Sequence, residues 1–176
     1  MDQVDADILA PSELVVLLGD KFVQKGMIGN TQMLYSGESV STANLVKMAL
    51  IAGILSCEKN GEISLVENTT KGTFGLGKKK VLNIVPQTKS AWPEYSFEDS
   101  IYNMVSRFED PQRLFYEWIE QDSMGPWDIA IEKIYDGLSK RGLLGYSEEK
   151  SMGIFTSKNY ALKNETRDQL ASRDIS

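Results

Sequence analysis

The sequence predicts a mainly helical α+β fold: a compact helical domain with winged-helix-like units, each a helix followed by a short β-hairpin. Several segments repeat apolar residues at helical spacing, and two of them, 43–85 and 127–155, continue through a glycine turn into two short strands. The composition is globular, since 41% of the 176 residues are hydrophobic and 25% are charged. We expect one domain over 1–176, with flexible ends at 1–10 and 167–176.

The N-terminal part of the chain predicts one helix and one strand. Pro11 favours a helix start, and the apolar residues after it predict a first helix that ends near Gly26. The residues from there to Ser41 are rich in Gly, Asn, Ser and Thr, which favours loops. Within them, the apolar group Met33-Leu34-Tyr35 predicts an edge strand.

The most apolar segment predicts a central helix. Ser41 or Thr42 can cap it, and from Ala43 to Leu55 it has almost no polar face. We therefore expect neighbouring elements to cover this helix on most sides. The single cysteine, Cys57, lies in the same apolar segment, which is typical of a buried structural thiol in a reducing compartment.

Residues 62–85 predict a β-hairpin with a long basic tip. The turn dipeptide Asn60-Gly61 precedes five residues that alternate like a half-buried strand, and 81–85 form the partner strand. The segment between the strands, 71–80, is rich in glycine and ends in three consecutive lysines.

The second half predicts three helices that pack through apolar stripes. The first stripe begins at Phe97, and the prolines at 111 and 126 favour the opening turns of two further helices. The third helix ends before Gly142, a residue suited to a helix terminus.

The C-terminal part predicts a second, smaller hairpin and a last helix. Leu143-Leu144 and Ile154-Phe155 flank a polar segment at 147–151, which we interpret as the turn of this hairpin. A final polar helix is expected from about Asn164.

Little in the sequence favours catalysis. It contains no histidine and one cysteine, which removes the usual general base, the His-activated nucleophiles and standard zinc sites. The stretch 72–78 has the spacing of a phosphate-binding loop, but Lys79 stands where Ser or Thr should hold Mg²⁺, and a strand is predicted to follow. Glu117, Glu120 and Asp122 are typical of a solvated helix face. We expect a non-enzymatic protein without catalytic residues, metal or cofactor.

Charge directs the search for partners to one patch. The net charge of −6 repels nucleic acid and anionic lipid, so contact with either requires a local basic surface. Lys78, Lys79 and Lys80 form the compact basic patch of the sequence. They either bind anionic lipid, at about 1 kcal/mol per lysine, or form a solvated run that protects the hairpin from aggregation. The 71–80 tip is also a candidate surface for a protein partner or self-association.

The order of elements resembles the Golgi phosphoprotein 3 family over most of the chain. The segment Leu14–Gly19 looks like that family's first helix, and Ala52–Val66 is similar to its apolar helix, which runs through a small-residue turn into a strand. The segment Ile131–Leu144, followed by Ile154-Phe155 and Tyr160–Leu162, is similar to the family's late helix, its phenylalanine strand and the extended arm after it.

This resemblance implies a mostly helical peripheral membrane protein, of a family whose eukaryotic members recognise phosphatidylinositol 4-phosphate and sort glycosyltransferases. The family's lipid pocket uses a tryptophan and an arginine around the central helix, with further arginines on the late helix. Here the first tryptophan is Trp92 and the first arginine is Arg107, and the late helix offers Lys133, Lys140 and Arg141. No residue of that pocket is transferred to this chain.

The prediction is therefore a non-enzymatic peripheral membrane-associated or adaptor protein that binds an anionic membrane surface or a phosphoinositide through Lys78, Lys79 and Lys80. The absence of a signal-peptide pattern predicts a cytoplasmic location, peripheral on a membrane. The alternative is a winged-helix DNA-binding regulator, which the net charge and the sparsely basic helices disfavour.

Overall fold

A computed structural model of the chain describes residues 8–71, 78–108, 110–120, 125–151 and 155–173. Within them the predicted mainly helical α+β class is confirmed, with six α-helices and three antiparallel two-stranded hairpins. The helices are α1 Pro11–Leu17, α2 Thr42–Lys59, α3 Phe97–Val105, α4 Pro111–Ile119, α5 Pro126–Lys140 and α6 Asn164–Ala171. The hairpins pair β1 Asn30–Gln32 with β2 Ser39–Ser41, β3 Ile63–Lys71 with β4 Lys78–Pro86, and β5 Leu144–Ser151 with β6 Phe155–Leu162.

Local capping signals set most helix starts. The Ser41 hydroxyl accepts a hydrogen bond from the Asn44 amide at 3.5 Å, and the Ser96 hydroxyl accepts one from the Asp99 amide at 3.1 Å. Helices α1, α4 and α5 each carry a proline in the first turn, where the missing N–H is not needed. The predicted starts of these helices are confirmed, although α1 ends earlier than predicted, at Leu17.

Helix α2 is central, and one of its faces is exposed. It contacts α1, α3 and α5, and Leu45, Val46 and Ala49 are fully buried among them. Ile51 and Leu55 are 51% and 52% exposed. Most positions of α2 are buried or half-buried, and Ile51 and Leu55, one turn apart, belong to an exposed face.

The predicted strand at Met33-Leu34-Tyr35 is wrong, since these residues form the turn between β1 and β2. The Met33 amide donates to the Glu38 carbonyl, and the Gly37 amide donates back to the Met33 carbonyl. The Met33 side chain is 2% exposed and reaches the backbone of Gly19. Its apolar character therefore anchors a turn to the core.

The two later hairpins have longer strands than the sequence predicted. The ladder of β3 and β4 continues to the pair Lys71 and Lys78, and residues 147–151 lie in strand β5 instead of in a turn. Backbone pairing continues past the apolar residues because polar side chains are tolerated on both faces of a solvated ribbon. The connecting residues 72–77 and 152–154 lie outside the described residues.

The chain termini contribute to the hydrophobic core. Leu9 and Ala10 are buried, and Leu170 on α6 is fully buried, instead of belonging to the flexible ends predicted at 1–10 and 167–176. Residues 1–7 and 174–176 lie outside the described residues.

Gly137 marks a close contact between α5 and the loop before α3. A Cβ atom added at Gly137 would lie 2.3 Å from the backbone carbonyl oxygen of Tyr95. We expect Gly137→Ala to destabilise the fold by about 1–3 kcal/mol, because backbone cannot move aside as a side chain can. Urea denaturation followed by far-UV circular dichroism measures this loss.

The matched control is Gly145→Ala, where the nearest atom to an added Cβ is the Ala161 carbonyl oxygen at 3.7 Å, an ordinary contact. Equal unfolding free energies for the two variants would contradict the packing argument at Gly137.

Candidate functional site

Strands β3 and β4 form an arm whose base is buried and whose far end is exposed. At the base, Ile63 and Ile84 are 2% and 1% exposed. Leu82 lies on the same face as Ile84 because side chains two residues apart share a strand face, yet it is 50% exposed. Further along that face, the side chain of Lys80 is 74% exposed. The arm therefore projects away from the helical core.

The predicted lipid-binding residues Lys78, Lys79 and Lys80 lie on strand β4 and not in a loop. In the β3–β4 register they oppose Lys71, Thr70 and Thr69, respectively. The backbone thus brings four lysines to the far end of the arm. The apolar tip residues considered with them, Phe74 and Leu76, lie outside the described residues. We call Lys71, Lys78, Lys79 and Lys80 the basic end.

One of these lysines is partly neutralised. The Lys80 ammonium is 2.8 Å from the Glu67 carboxylate, and both side chains are well exposed. Such surface ion pairs contribute about 0–1 kcal/mol, so water and salt compete easily with this contact. Lys78 is also exposed. Lys78 and Lys80 are therefore accessible to an anionic surface.

The structure also bears on the phosphate-loop-like stretch and on the acidic helix face described above. The strand predicted after the phosphate-loop-like stretch 72–78 is present as β4, so the helix N-terminus that would hold a phosphate does not follow it. Glu117 and Glu120 are exposed, as on a solvated face, and Glu120 pairs with Lys133 at 2.7 Å. Asp122 lies outside the described residues.

The sequence analysis missed a buried charge cluster between α1, α3 and the end of α5. The Arg141 guanidinium contacts the Glu13 carboxylate at 2.5 Å, with side-chain exposures of 2% and 1%. Arg141 also donates a hydrogen bond to the Ile8 carbonyl. The available signal was Glu13, a single carboxylate within an otherwise apolar first helix.

Glu98 on α3 is the second carboxylate of this cluster. Its two oxygens accept hydrogen bonds from the Ser12 amide at 2.9 Å and the Ser12 hydroxyl at 2.7 Å. Burial, together with the nearby negative charge of Glu13, raises the pKa of Glu98 to about 7. Burial also raises the pKa of Glu13, although Arg141 opposes this shift. Both carboxylates are at most 1% exposed, so no substrate reaches them.

Cys57 and Glu62 are buried beside this cluster. The Cys57 thiol donates to the Glu98 carbonyl oxygen at 3.6 Å, and burial followed by the charge of Glu62 raises the pKa of the thiol well above its usual range. A thiol held protonated is a poor nucleophile. One Glu62 carboxylate oxygen accepts from the Ala91 amide at 2.9 Å and fixes the loop before α3. The buried position predicted for Cys57 is confirmed.

An open groove of about 700 Å³ lies between α5, the β5–β6 hairpin and β1. Its lining includes Asp128 and Glu132 from α5, Glu148 from β5 and Lys158 from β6. The Lys158 ammonium contacts Glu132 and also lies 3.0 Å from Asp136. Three carboxylates against one ammonium give the lining an excess of negative charge. The sequence analysis did not identify this groove.

Tyr135 and Tyr160 line the groove, and the ring of Tyr146 packs against that of Tyr160. The Tyr135 and Tyr160 ring centroids are 5.4 Å apart, and those of Tyr146 and Tyr160 are 5.6 Å apart. The Tyr160 hydroxyl donates to Asp136. Burial raises the pKa of Tyr135 to about 12, so its hydroxyl stays protonated at neutral pH.

No family model matches the sequence, and no curated protein or solved structure matches the chain. The resemblance to the Golgi phosphoprotein 3 family therefore stays a prediction. Within the described ranges, none of the helices is both long and apolar enough to cross a bilayer. Across the same ranges, no group of three or more His, Cys, Asp or Glu is placed to hold a metal ion.

Proposed function

We propose that this chain is a non-enzymatic, peripheral membrane-associated protein that binds anionic lipid, including phosphoinositide headgroups, through the basic end. The observation that carries the proposal is the position of Lys78, Lys79 and Lys80 at the far end of an arm that leaves the helical core. A cytoplasmic membrane surface is the compartment that this function implies.

The length of the arm separates the basic end from the acidic body. Along β4, Lys78 is six residues from the buried Ile84. This separation is about 20 Å at the rise of a β-strand. The Debye length at 0.1 M salt is about 10 Å. Repulsion between the membrane and the rest of a chain of net charge −6 is therefore screened at the distance where the lysines make contact.

Three observations support a binding role over catalysis. The sequence has no histidine. The carboxylates of Glu13 and Glu98 are sealed in the core, and the Cys57 thiol is buried with a raised pKa. Their environments fit structural roles, because a catalytic group must reach its substrate.

Vesicle co-sedimentation tests the proposal. The wild-type chain is expected to bind vesicles containing phosphatidylserine or phosphatidylinositol 4-phosphate and not neutral phosphatidylcholine vesicles. Replacing Lys78, Lys79 and Lys80 by glutamine should lower the partition coefficient at least tenfold, since each lysine contributes about 1 kcal/mol and Lys80 is already paired with Glu67.

Two controls sharpen this experiment. The first control replaces three exposed lysines outside the arm, Lys25, Lys59 and Lys163, with glutamine. This variant changes the net charge as much as the test variant does, but it should leave binding intact. Glu67→Gln frees Lys80 and should strengthen binding. Equal losses in the two triple variants would contradict the proposal, because binding would then follow net charge alone.

A parallel DNA-binding assay tests the winged-helix alternative. Helix α5, which precedes the β5–β6 hairpin, carries Asp128, Glu132 and Asp136, and these repel phosphates. Retardation of duplex DNA at 150 mM salt, without vesicle binding, would replace the lipid proposal with the DNA-binding one.

A further inference from the structure

The groove beside α5 is large enough to hold a small ligand. Its volume of about 700 Å³ falls in the range of small-molecule pockets, about 300–1,000 Å³. Asp128, Ile131, Glu132 and Tyr135 all contribute to it from α5, and their spacing of three and four residues places them on one helix face. The lining therefore combines a helical face with side chains from both strands of a hairpin.

The charge of the groove selects cations. Asp128, Glu132 and Glu148 face a single ammonium, that of Lys158. Asp136 lies beside them and accepts hydrogen bonds from Lys158 and Tyr160. An anionic ligand would meet this negative excess at close range, whereas an added cation would reduce it.

Lys158 shows how the groove accommodates an alkylammonium group. Its ammonium lies between the Glu132 and Asp136 carboxylates. The adjacent Tyr160 ring is one of three clustered tyrosines, and tyrosine faces attract cations. Asp128 and Glu148 add two further carboxylates to the lining of the groove.

The hydroxyl of Tyr135 is independent evidence that the groove lacks a hydrogen-bonding group. The residue is 6% exposed, and its hydroxyl has no hydrogen-bond partner among the described residues. A buried hydroxyl without a partner costs about 1–3 kcal/mol, so such groups are rare in folded proteins. Tyr135 is one of the residues that line the groove, so its unpaired hydroxyl belongs to the wall of this site.

The form of the ligand follows from the mixture of charged and apolar positions in the groove. Asp128 and Glu132 are one helical turn apart, about 6 Å along the axis. Ile131 lies on the same face and offers apolar contact between charged positions. Because Glu132 is already paired with Lys158, Asp128 and Glu148 are the lining carboxylates left for a ligand with several ammonium groups joined by methylene segments.

We propose that this groove binds a linear polyamine, with ammonium groups paired to Asp128 and Glu148 and the methylene chain against Ile131 and the tyrosine rings. The site shares no residue with the basic end, so this binding and the lipid binding are separate functions of the chain. A failed polyamine experiment leaves the lipid proposal standing.

Isothermal titration calorimetry with spermidine at 150 mM NaCl tests the site. The wild-type chain is expected to give a saturable one-to-one isotherm. The Asp128→Asn, Glu148→Gln double variant should bind at least tenfold more weakly. Tyr135→Phe should bind at least threefold more weakly while its urea midpoint is unchanged or raised, because the variant also removes a buried unpaired hydroxyl.

The control is Glu117→Gln combined with Glu165→Gln, which removes two exposed carboxylates on α4 and α6 and should leave spermidine affinity unchanged. An equal loss in both double variants would mean that spermidine responds to net charge alone and would overturn the proposal. So would unchanged affinity in the double groove variant, or binding of a lysine-rich peptide without binding of spermidine.

Discussion

Replacing Arg141 with methionine is expected to destabilise the fold by about 3–5 kcal/mol, the usual cost of removing one partner of a buried ion pair. The guanidinium neutralises Glu13 at 2.5 Å, and both side chains are at most 2% exposed. Without Arg141, the Glu13 carboxylate must either stay charged in the core or take up a proton. The Ile8 carbonyl loses a donor in the same variant.

Urea denaturation at pH 8 measures this effect, because Glu13 is most fully ionised in the unfolded chain at that pH. Arg107→Met, at an exposed arginine, is the matched control and should change the unfolding free energy by no more than about 0.5 kcal/mol. Adding Glu13→Gln to Arg141→Met should recover part of the loss. A loss of unfolding free energy below about 1 kcal/mol in Arg141→Met would contradict the expected contribution of this ion pair to stability.

Stability should fall as pH rises from about 4.5 to about 7 because of Glu98. The pKa of this carboxyl is about 7 in the folded chain, against an ordinary value of 4.5. The folded state therefore holds a proton that the unfolded state has already released, so unfolding becomes easier as pH increases. The shift corresponds to about 3 kcal/mol, fully lost above the folded pKa.

Glu98→Gln should flatten this pH dependence and raise stability at pH 8 by up to about 3 kcal/mol. The amide keeps one acceptor for the Ser12 amide and offers a donor to the Ser12 hydroxyl, so the hydrogen bonds survive. Urea midpoints at pH 5 and pH 8 give the measurement. Glu117→Gln, on an exposed helix face, is the control and should keep the wild-type pH profile. Identical slopes for wild type and Glu98→Gln would contradict the argument.

The sequence was sufficient for features that depend on neighbouring residues. Ser41 and the prolines at 111 and 126 act within one helical turn, so the helices that they open were predictable from residue type and spacing. The stripe that begins at Phe97 likewise defined α3. These signals fixed the fold class because helix starts and apolar faces together limit how the elements pack.

Long-range features were not predictable by the same means. Arg141 and Glu13 are 128 residues apart, and neither is flanked by a pattern that marks its partner. The groove also joins α5 to both strands of a later hairpin, so no single segment carries its signature. The lysines were identified as a patch but misplaced in a loop, since residues 67–71 show no apolar alternation that would extend strand β3.

The contact between Glu13 and Arg141 also constrains the order in which the chain folds during synthesis. At 5–20 residues per second, the 128 residues that separate them take on the order of ten seconds to be made. Throughout that interval α1 exists without the cation that lets its carboxylate enter the core. The N-terminal helix is therefore expected to dock late, after the ribosome has added α5, so nascent chains that stop before Arg141 should expose α1 to proteases.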